Sequence, residues 1–87
     1  MIRYWFTFDF ENYNNPPSGV LYGCGITAIS KDDAMSILRE KVFLNKIIPY
    51  ISKVIENIDV STLDANHVLP NMTHPLKRGV WFPLGYQ

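Results

Sequence analysis

The stretch IRYWFTFDF, residues 2–10, decides the fold because its side chains alternate strictly between two faces. One face holds Ile2, Tyr4, Phe6, Phe8 and Phe10, and the other holds Arg3, Trp5, Thr7 and Asp9. Successive side chains of a β-strand point to opposite sides of a sheet. The pattern therefore predicts a strand with an aromatic core face and with Trp5 on the second face.

The next two segments predict a chain reversal and a second strand. Residues 11–19, ENYNNPPSG, are dense in Asn, Pro and Gly, which favour turns. Residues 20–30, VLYGCGITAIS, are β-branched and aromatic, as is typical of a strand. Gly23 and Gly25 share one face of that strand, which calls for a bulge or a large neighbour over the backbone. We expect Trp5 of the adjacent strand to be that neighbour.

Residues 30–43, SKDDAMSILREKVF, predict an amphipathic helix. Ser30 is a favourable N-cap, and the acidic residues of the first turn, including Asp33, complement the helix dipole. The apolar residues recur at intervals of three and four, and Lys41 is the one polar residue on that stripe. We expect this helix to cover one face of the sheet.

Residues 47–58 fit two structures, because their isoleucines follow a helical spacing while their β-branched content is typical of a strand. We predict a strand from about 50 to 58, since the preceding helix is a natural crossover to it. Residues 59–76 contain a Ser-x-x-Asp pattern and two prolines, and therefore predict one short helical turn followed by irregular chain.

The segment RGVWFP, residues 78–83, predicts a last short strand that ends at a proline. Val80 and Phe82 are expected to share a core face, and Trp81 is expected to lie on the other face without being fully buried.

These elements predict one compact domain spanning residues 1–87, because a chain this short cannot build two cores. The fold class is α+β: a small two-layer domain with an antiparallel or mixed sheet and one amphipathic helix on one face. The order along the chain is β-β-α-β, a short helical turn, then β.

Composition narrows the function. Eight basic and eight acidic side chains cancel, which removes the positive surface that nucleic-acid binding needs. The single cysteine, Cys24, excludes an internal disulfide and is expected to be a small buried apolar residue. No apolar stretch is long enough to span a bilayer. We therefore expect a cytoplasmic protein that binds neither nucleic acid nor membrane.

No motif names a reaction or a cofactor. The chain contains no nucleophile elbow, no phosphate-binding loop and no dinucleotide fingerprint. One cluster of side chains that could bind a metal is visible: Asp59, Asp64, His67 and His74. The two histidines are weak metal candidates because they are widely spaced along the chain. The other interpretation is that the carboxylates cap turns while the imidazoles hold a loop in place. We expect no cofactor.

Aromatic and amide side chains off the helix-covered face suggest a binding surface. The candidate partner-binding residues are Trp5, Tyr13, Asn14, Asn15, Asp59, Asp64 and Trp81. Trp and Tyr are the side chains that most often anchor protein interfaces. The alternative for the two tryptophans is structural: they cover the glycines of the second strand or are themselves capped by residues 61–76.

Three hypotheses for function follow. The first is a non-catalytic protein-binding module, in its sharpest form a small bacterial inhibitor or immunity protein that neutralises a toxin-like partner by occlusion; the acidic stretch 48–70 would suit a basic partner. The second is a small metal-dependent or hydrolytic enzyme that uses His67, His74, Asp59 and Asp64. The third is a homo-oligomeric structural subunit that pairs through an exposed edge at residues 79–83.

Overall fold

The computed structural model describes all 87 residues. Its sheet has four antiparallel strands: β1 (Ile2–Asp9), β2 (Cys24–Ala28), β3 (Tyr50–Glu56) and β4 (Gly79–Phe82). Their order across the sheet is β3-β1-β2-β4, so the aromatic strand β1 is central. The predicted α+β class and the order of elements along the chain are confirmed, with the sheet antiparallel throughout.

The helix α1 (Lys31–Ile37) continues into a π-helical turn, Leu38–Val42. Ser30 is its N-cap, since the Ser30 hydroxyl accepts a hydrogen bond from the Asp33 backbone N–H at 3.1 Å. The wide π turn leaves Lys41 exposed while the next residues, Val42 and Phe43, are buried. This is why Lys41 interrupts the apolar stripe without entering the core.

The main core lies between α1 and the sheet. It holds even-numbered side chains of β1 and β2, apolar residues of the helix and the residue after it, and one residue each from the 3-10 turn before β2 and from β4: Tyr4, Phe6, Val20, Cys24, Ile26, Ala28, Ala34, Ile37, Leu38, Val42, Phe43 and Val80. The predictions that Tyr4 and Phe6 lie on a core face and that Cys24 is buried are confirmed.

The second strand is shorter than predicted. Residues Val20–Tyr22 form a 3-10 turn, and β2 begins only at Cys24. Gly19 and Gly23 flank the turn with φ values of 85° and 125°, conformations that a continuous strand does not contain. Gly23 therefore separates the 3-10 turn from the strand, which begins at the next residue.

The last strand differs from the prediction in the faces of its side chains. Val80 pairs with Ile26 and Phe82 pairs with Gly25, so Trp81 is an extra residue in a β-bulge. The bulge puts Val80 in the main core and Phe82 on the other side of the sheet. The expectation that Val80 and Phe82 share a face was wrong for this reason.

The sheet face away from α1 is covered by residues 58–76, which we call the covering segment. It contains two 3-10 turns, Val60–Thr62 and Leu69–Asn71, and otherwise turns and irregular chain. Its apolar side chains, Ile58, Val60, Leu63, Val68 and Met72, pack with Trp5, Trp81 and Phe82 into a second cluster. The predicted two layers, helix and sheet, are thus joined by a third, irregular layer on the sheet face away from α1.

Candidate functional site

Both tryptophans lie on the predicted sheet face, but they lie under the covering segment. Trp5 is 6% exposed and Trp81 is 1% exposed, and their rings stack with centroids 5.8 Å apart. Of the two alternatives for these residues, the structure shows the covered one. Trp81 was expected to be partly exposed, and that expectation was wrong because the covering segment closes over it. Neither ring offers area to a partner in this fold.

Gly23, which precedes β2, and Gly25, within it, make room for the two tryptophan rings. A Cβ atom at Gly23 would lie 2.5 Å from the Trp5 ring, and one at Gly25 would lie 2.5 Å from three atoms of the Trp81 ring. Each glycine therefore makes room for one indole, because no real Cβ approaches that closely. The expectation that Trp5 covers a glycine is confirmed, and Trp81 covers the other.

Asp59 and Asp64 act as caps on the covering segment. Asp59 Oδ1 accepts hydrogen bonds from the backbone N–H and the hydroxyl of Ser61, at 3.0 and 2.7 Å. Asp64 Oδ1 accepts hydrogen bonds from the backbone N–H groups of Asn66 and His67, at 2.8 and 2.9 Å. These bonds lower the pKa of both carboxyls, so both caps are ionised at neutral pH. These hydrogen bonds are of the turn-capping kind, in which a carboxylate accepts from residues two and three positions further along the chain.

The two histidines are not brought together. His67 lies beside Asp64, whereas His74 lies in a separate cleft beside Lys77 and Arg78. No group of three or more His, Cys, Asp or Glu side chains in this structure is arranged to hold a metal ion. The four residues of the metal or hydrolytic hypothesis therefore do not form one site, and Asp64 with His67 is the pair that remains.

Cys24 is fully buried in the main core. Burial raises the pKa of its thiol, so the sulfur is a neutral thiol rather than a reactive thiolate.

The predicted loop at residues 11–19 is built against the helix end. Tyr13 packs on the rings of Phe10 and Phe43, and its hydroxyl donates a hydrogen bond to the backbone carbonyl of Ile47 at 2.6 Å. Asn14 and Asn15 are exposed beside it. Tyr13 thus joins this loop to the segment between the helix and β3.

That joined region, residues 12–15 and 44–50, is here called the loop surface. It carries three large apolar side chains that face solvent: Leu44 is 65% exposed, Ile47 is 83% exposed and Tyr50 is 73% exposed. Two shallow depressions run across it, and both are lined by Tyr13, Asn14 and Lys46. Asn14 and Asn15 supply amide groups at its edge.

The backbone of the loop surface is held in unfavourable conformations. Leu44 and Asn45 both have left-handed φ values, 52° and 62°, directly after the π-helical turn. Asn tolerates this region well, whereas Leu does so only at a cost of about 1–3 kcal/mol. The fold thus keeps an apolar residue exposed on a strained backbone.

Sequence reasoning missed Leu44, Ile47 and Tyr50 as surface residues. Ile47 and Tyr50 fall in the segment 47–58, whose isoleucines fit a helix or a strand, and Leu44 falls between that segment and the predicted helix, which ends at residue 43. The signal that could have found them is the pair Leu44-Asn45: an apolar residue that has left the helical stripe, followed by an Asn suited to left-handed backbone.

The candidate residues therefore fall on opposite sides of the sheet. Tyr13 packs against the helix-side core, whereas Asp59 and Asp64 belong to the segment that covers the other face. A single contact face containing all seven is not present in this fold.

A second concave region lies between the covering segment and the 3-10 turn before β2. His67 stacks on Tyr22, with ring centroids 4.7 Å apart and planes 14° from parallel. His67 Nδ1 lies 3.2 Å from Asp64 Oδ1. Ser18, Gly19, Asn71 and Pro83 also line this cleft, which encloses about 290 Å³.

The two sheet edges differ. The outer side of β4 receives a hydrogen bond from the Thr73 backbone N–H to the Trp81 carbonyl at 2.9 Å, so the edge proposed for self-association is partly paired within the chain. The edge at β3 has no such partner, but it carries Lys53 and a register shift opposite Thr7 and Phe8. Both features are devices that disfavour strand pairing between molecules.

Comparison with known proteins gives no relationship: no family model, no curated protein and no solved structure matches the chain. None of its helices has the length and apolar character needed to cross a membrane.

Proposed function

We propose that this protein is a cytoplasmic protein-binding module that occludes its partner through the loop surface. The observation that supports it is the exposure of Leu44 and Ile47 on a strained loop tied to Tyr13. Single exposed apolar side chains are ordinary, but several in one loop are typical of an interaction site. The most specific form of the proposal is a bacterial inhibitor or immunity protein that neutralises a toxin-like protein.

The composition of the loop surface supports a protein partner. Apolar and aromatic side chains at the centre with amides and a single charge at the edge are typical of protein interfaces, whose centres are depleted in charged residues. Asn14, Asn15 and Asn45 supply donors and acceptors, and Lys46 is the one charged side chain that lines the two depressions. A protein that acts by occluding its partner needs such a binding surface and needs no catalytic residues.

The position of the charges changes the expectation for the partner. A basic partner was expected from the acidic stretch 48–70, but Asp59 and Asp64 lie on the segment that covers the opposite sheet face. The loop surface itself contributes Lys46. A partner bound there is recognised mainly through apolar contact and amide hydrogen bonds rather than through opposite charge.

The test is a comparison of two double variants in affinity capture from the lysate of the source organism. Leu44→Ser with Ile47→Ser removes the apolar centre of the loop surface and leaves Tyr13 in place. Ile29→Ser with Leu76→Ser removes two equally exposed apolar side chains elsewhere and is the matched control. Thermal melts of all three proteins verify that they are folded.

The proposal predicts one stoichiometric partner that the wild type and the control variant both capture. With the purified partner, the loop variant is expected to bind about thirtyfold more weakly or worse, as the loss of an interface hot spot implies. Equal binding by the loop variant would contradict the proposal, as would a wild type that captures nothing.

A further inference from the structure

The cleft beside His67 carries a separate inference that goes beyond protein binding. It lies between the 3-10 turn Val20–Tyr22 and the covering segment, whereas the loop surface lies against the helix-side core. We infer that this cleft is a hydrolytic site for small uncharged carboxylic esters, in which His67 is the general base and Asp64 is the positioning residue.

The first observation is that the exposed imidazole of His67 is held by two contacts to its ring, while a third contact fixes the His67 backbone. Asp64 Oδ1 lies 3.2 Å from Nδ1, the Tyr22 ring stacks on its face, and the His67 backbone carbonyl accepts a hydrogen bond from Asn71 Nδ2 at 2.9 Å. A carboxylate beside Nδ1 fixes the Nδ1–H tautomer and leaves the lone pair on Nε2. Nε2 has no hydrogen-bond partner in the structure.

The second observation is the cleft itself. Its walls combine apolar surface from Phe82, Pro83 and Leu84 with the side chains of Ser18 and Asn71. No Asp, Glu, Lys or Arg side chain lines the cleft, so an uncharged substrate is favoured. Its volume of about 290 Å³ suits a small ester and excludes a folded protein chain.

The third observation concerns the wall of the cleft opposite the covering segment. Gly19 lines the same cleft, and its φ of 85° together with Pro83 fixes it as glycine, because a Cβ there would lie 2.8 Å from Pro83. The backbone at Gly19 therefore borders the cleft without a side chain that would fill it.

The proposed step balances without a further reagent. His67 Nε2 takes a proton from a water molecule whose oxygen attacks the ester carbonyl carbon. The tetrahedral intermediate expels the alcohol, which receives that proton from Nε2, and the carboxylic acid product then ionises. Asp64 keeps the ring oriented and stabilises its protonated form.

The chain supplies its own control for an experiment with p-nitrophenyl acetate. His74 is the other histidine, is exposed, and has no carboxylate within hydrogen-bond distance. The variants are His67→Gln, the matched His74→Gln, and Asp64→Asn, which keeps an acceptor for the turn but removes the charge. Circular dichroism of each variant verifies the fold.

The expected result is a wild-type rate about tenfold or more above that of free imidazole at equal histidine concentration. His67→Gln should lose nearly all of that excess and His74→Gln almost none. Asp64→Asn should lower kcat and leave KM nearly unchanged, because the ring loses its orientation while the cleft stays intact; a structural disturbance of the cleft would raise KM as well. Equal losses from the two histidine variants, or a wild-type rate equal to that of free imidazole, would overturn the inference.

Discussion

The sheet face under the covering segment and the loop surface both carry large apolar side chains, but one set is buried and the other is exposed. On the covered side, Trp5 and Trp81 are buried because two glycines make room for their rings and residues 58–76 close over them. On the loop surface, Leu44 and Ile47 are smaller apolar residues that nothing covers. The difference teaches that an aromatic side chain on the second sheet face is structural when a neighbouring glycine makes room for its ring.

The largest expected effect that tests this difference is on stability. Trp81→Ala should lower the free energy of unfolding by about 3–5 kcal/mol, because it empties the centre of the second cluster. Tyr50→Ala, at an exposed aromatic, should change it by no more than about 0.5 kcal/mol. Urea denaturation of both variants measures this. Similar losses for the two would contradict the division into a buried and an exposed aromatic region.

Gly25→Ala should destabilise the protein by about 1–3 kcal/mol, although it adds only a methyl group. The new Cβ would meet the Trp81 ring, which is itself enclosed by the covering segment. Ile29→Ala, just beyond the end of the same strand and exposed, is the control and should be nearly neutral. A neutral Gly25→Ala in the same urea titrations would show that Trp81 can move away, and would weaken the role assigned to the glycine.

Leu44→Asn is expected to have a smaller effect of the opposite sign on stability. Asn adopts left-handed backbone readily, so the substitution should raise the free energy of unfolding by about 0.5–1 kcal/mol while removing an apolar contact residue. Leu21→Asn, at an exposed leucine with no positive φ, should give no such gain. A gain of stability together with a loss of partner binding would show that the loop surface keeps Leu44 for binding at the expense of stability. A less stable Leu44→Asn variant would contradict the claim that the backbone at residue 44 is strained.

The smallest expected effect is on the pH dependence of stability, and it comes from the ion pair of Arg78 with Asp33, which lies outside both regions. Arg78 donates two hydrogen bonds to Asp33, at 2.9 and 2.5 Å, and together with the Ile29 backbone N–H it lowers the pKa of Asp33 to about 2. A lowered carboxyl pKa stabilises the fold above the unfolded value of about 3.9, and that contribution disappears as the pH falls through about 2.

Asp33→Asn should therefore lower the melting temperature at pH 7 and make little difference near pH 2. Thermal melts of the variant and the wild type at a series of pH values measure the gap between them. A gap that stays constant down to pH 2 would show that ionised Asp33 does not contribute to stability.

Much of the fold could be predicted from the sequence because local patterns agreed with one another. The alternation in residues 2–10, the Ser30 cap and the β-branched content before Glu56 each indicate the element that forms. The bulge at Trp81 could not be predicted, because it depends on which residue of β2 lies opposite, and that is set by packing across the sheet.

The candidate site was predicted less well, for a related reason. Asn14 and Asn15 are exposed, because a loop rich in Asn and Pro stays outside the core, whereas Tyr13 is half-buried against Phe10 and Phe43. The exposure of Leu44 and Ile47 depends on the π-helical turn and the left-handed backbone that follows it. Neither has a pattern in the sequence as clear as that of a strand or a cap.

The most direct test of the central claim is hydrogen exchange, followed by mass spectrometry, on the protein alone and in complex with the partner that it captures. The account predicts that binding slows exchange in residues 12–15 and 44–50 and leaves residues 58–76 unchanged. Slower exchange confined to residues 58–76 would contradict it and would place the partner over the tryptophans instead.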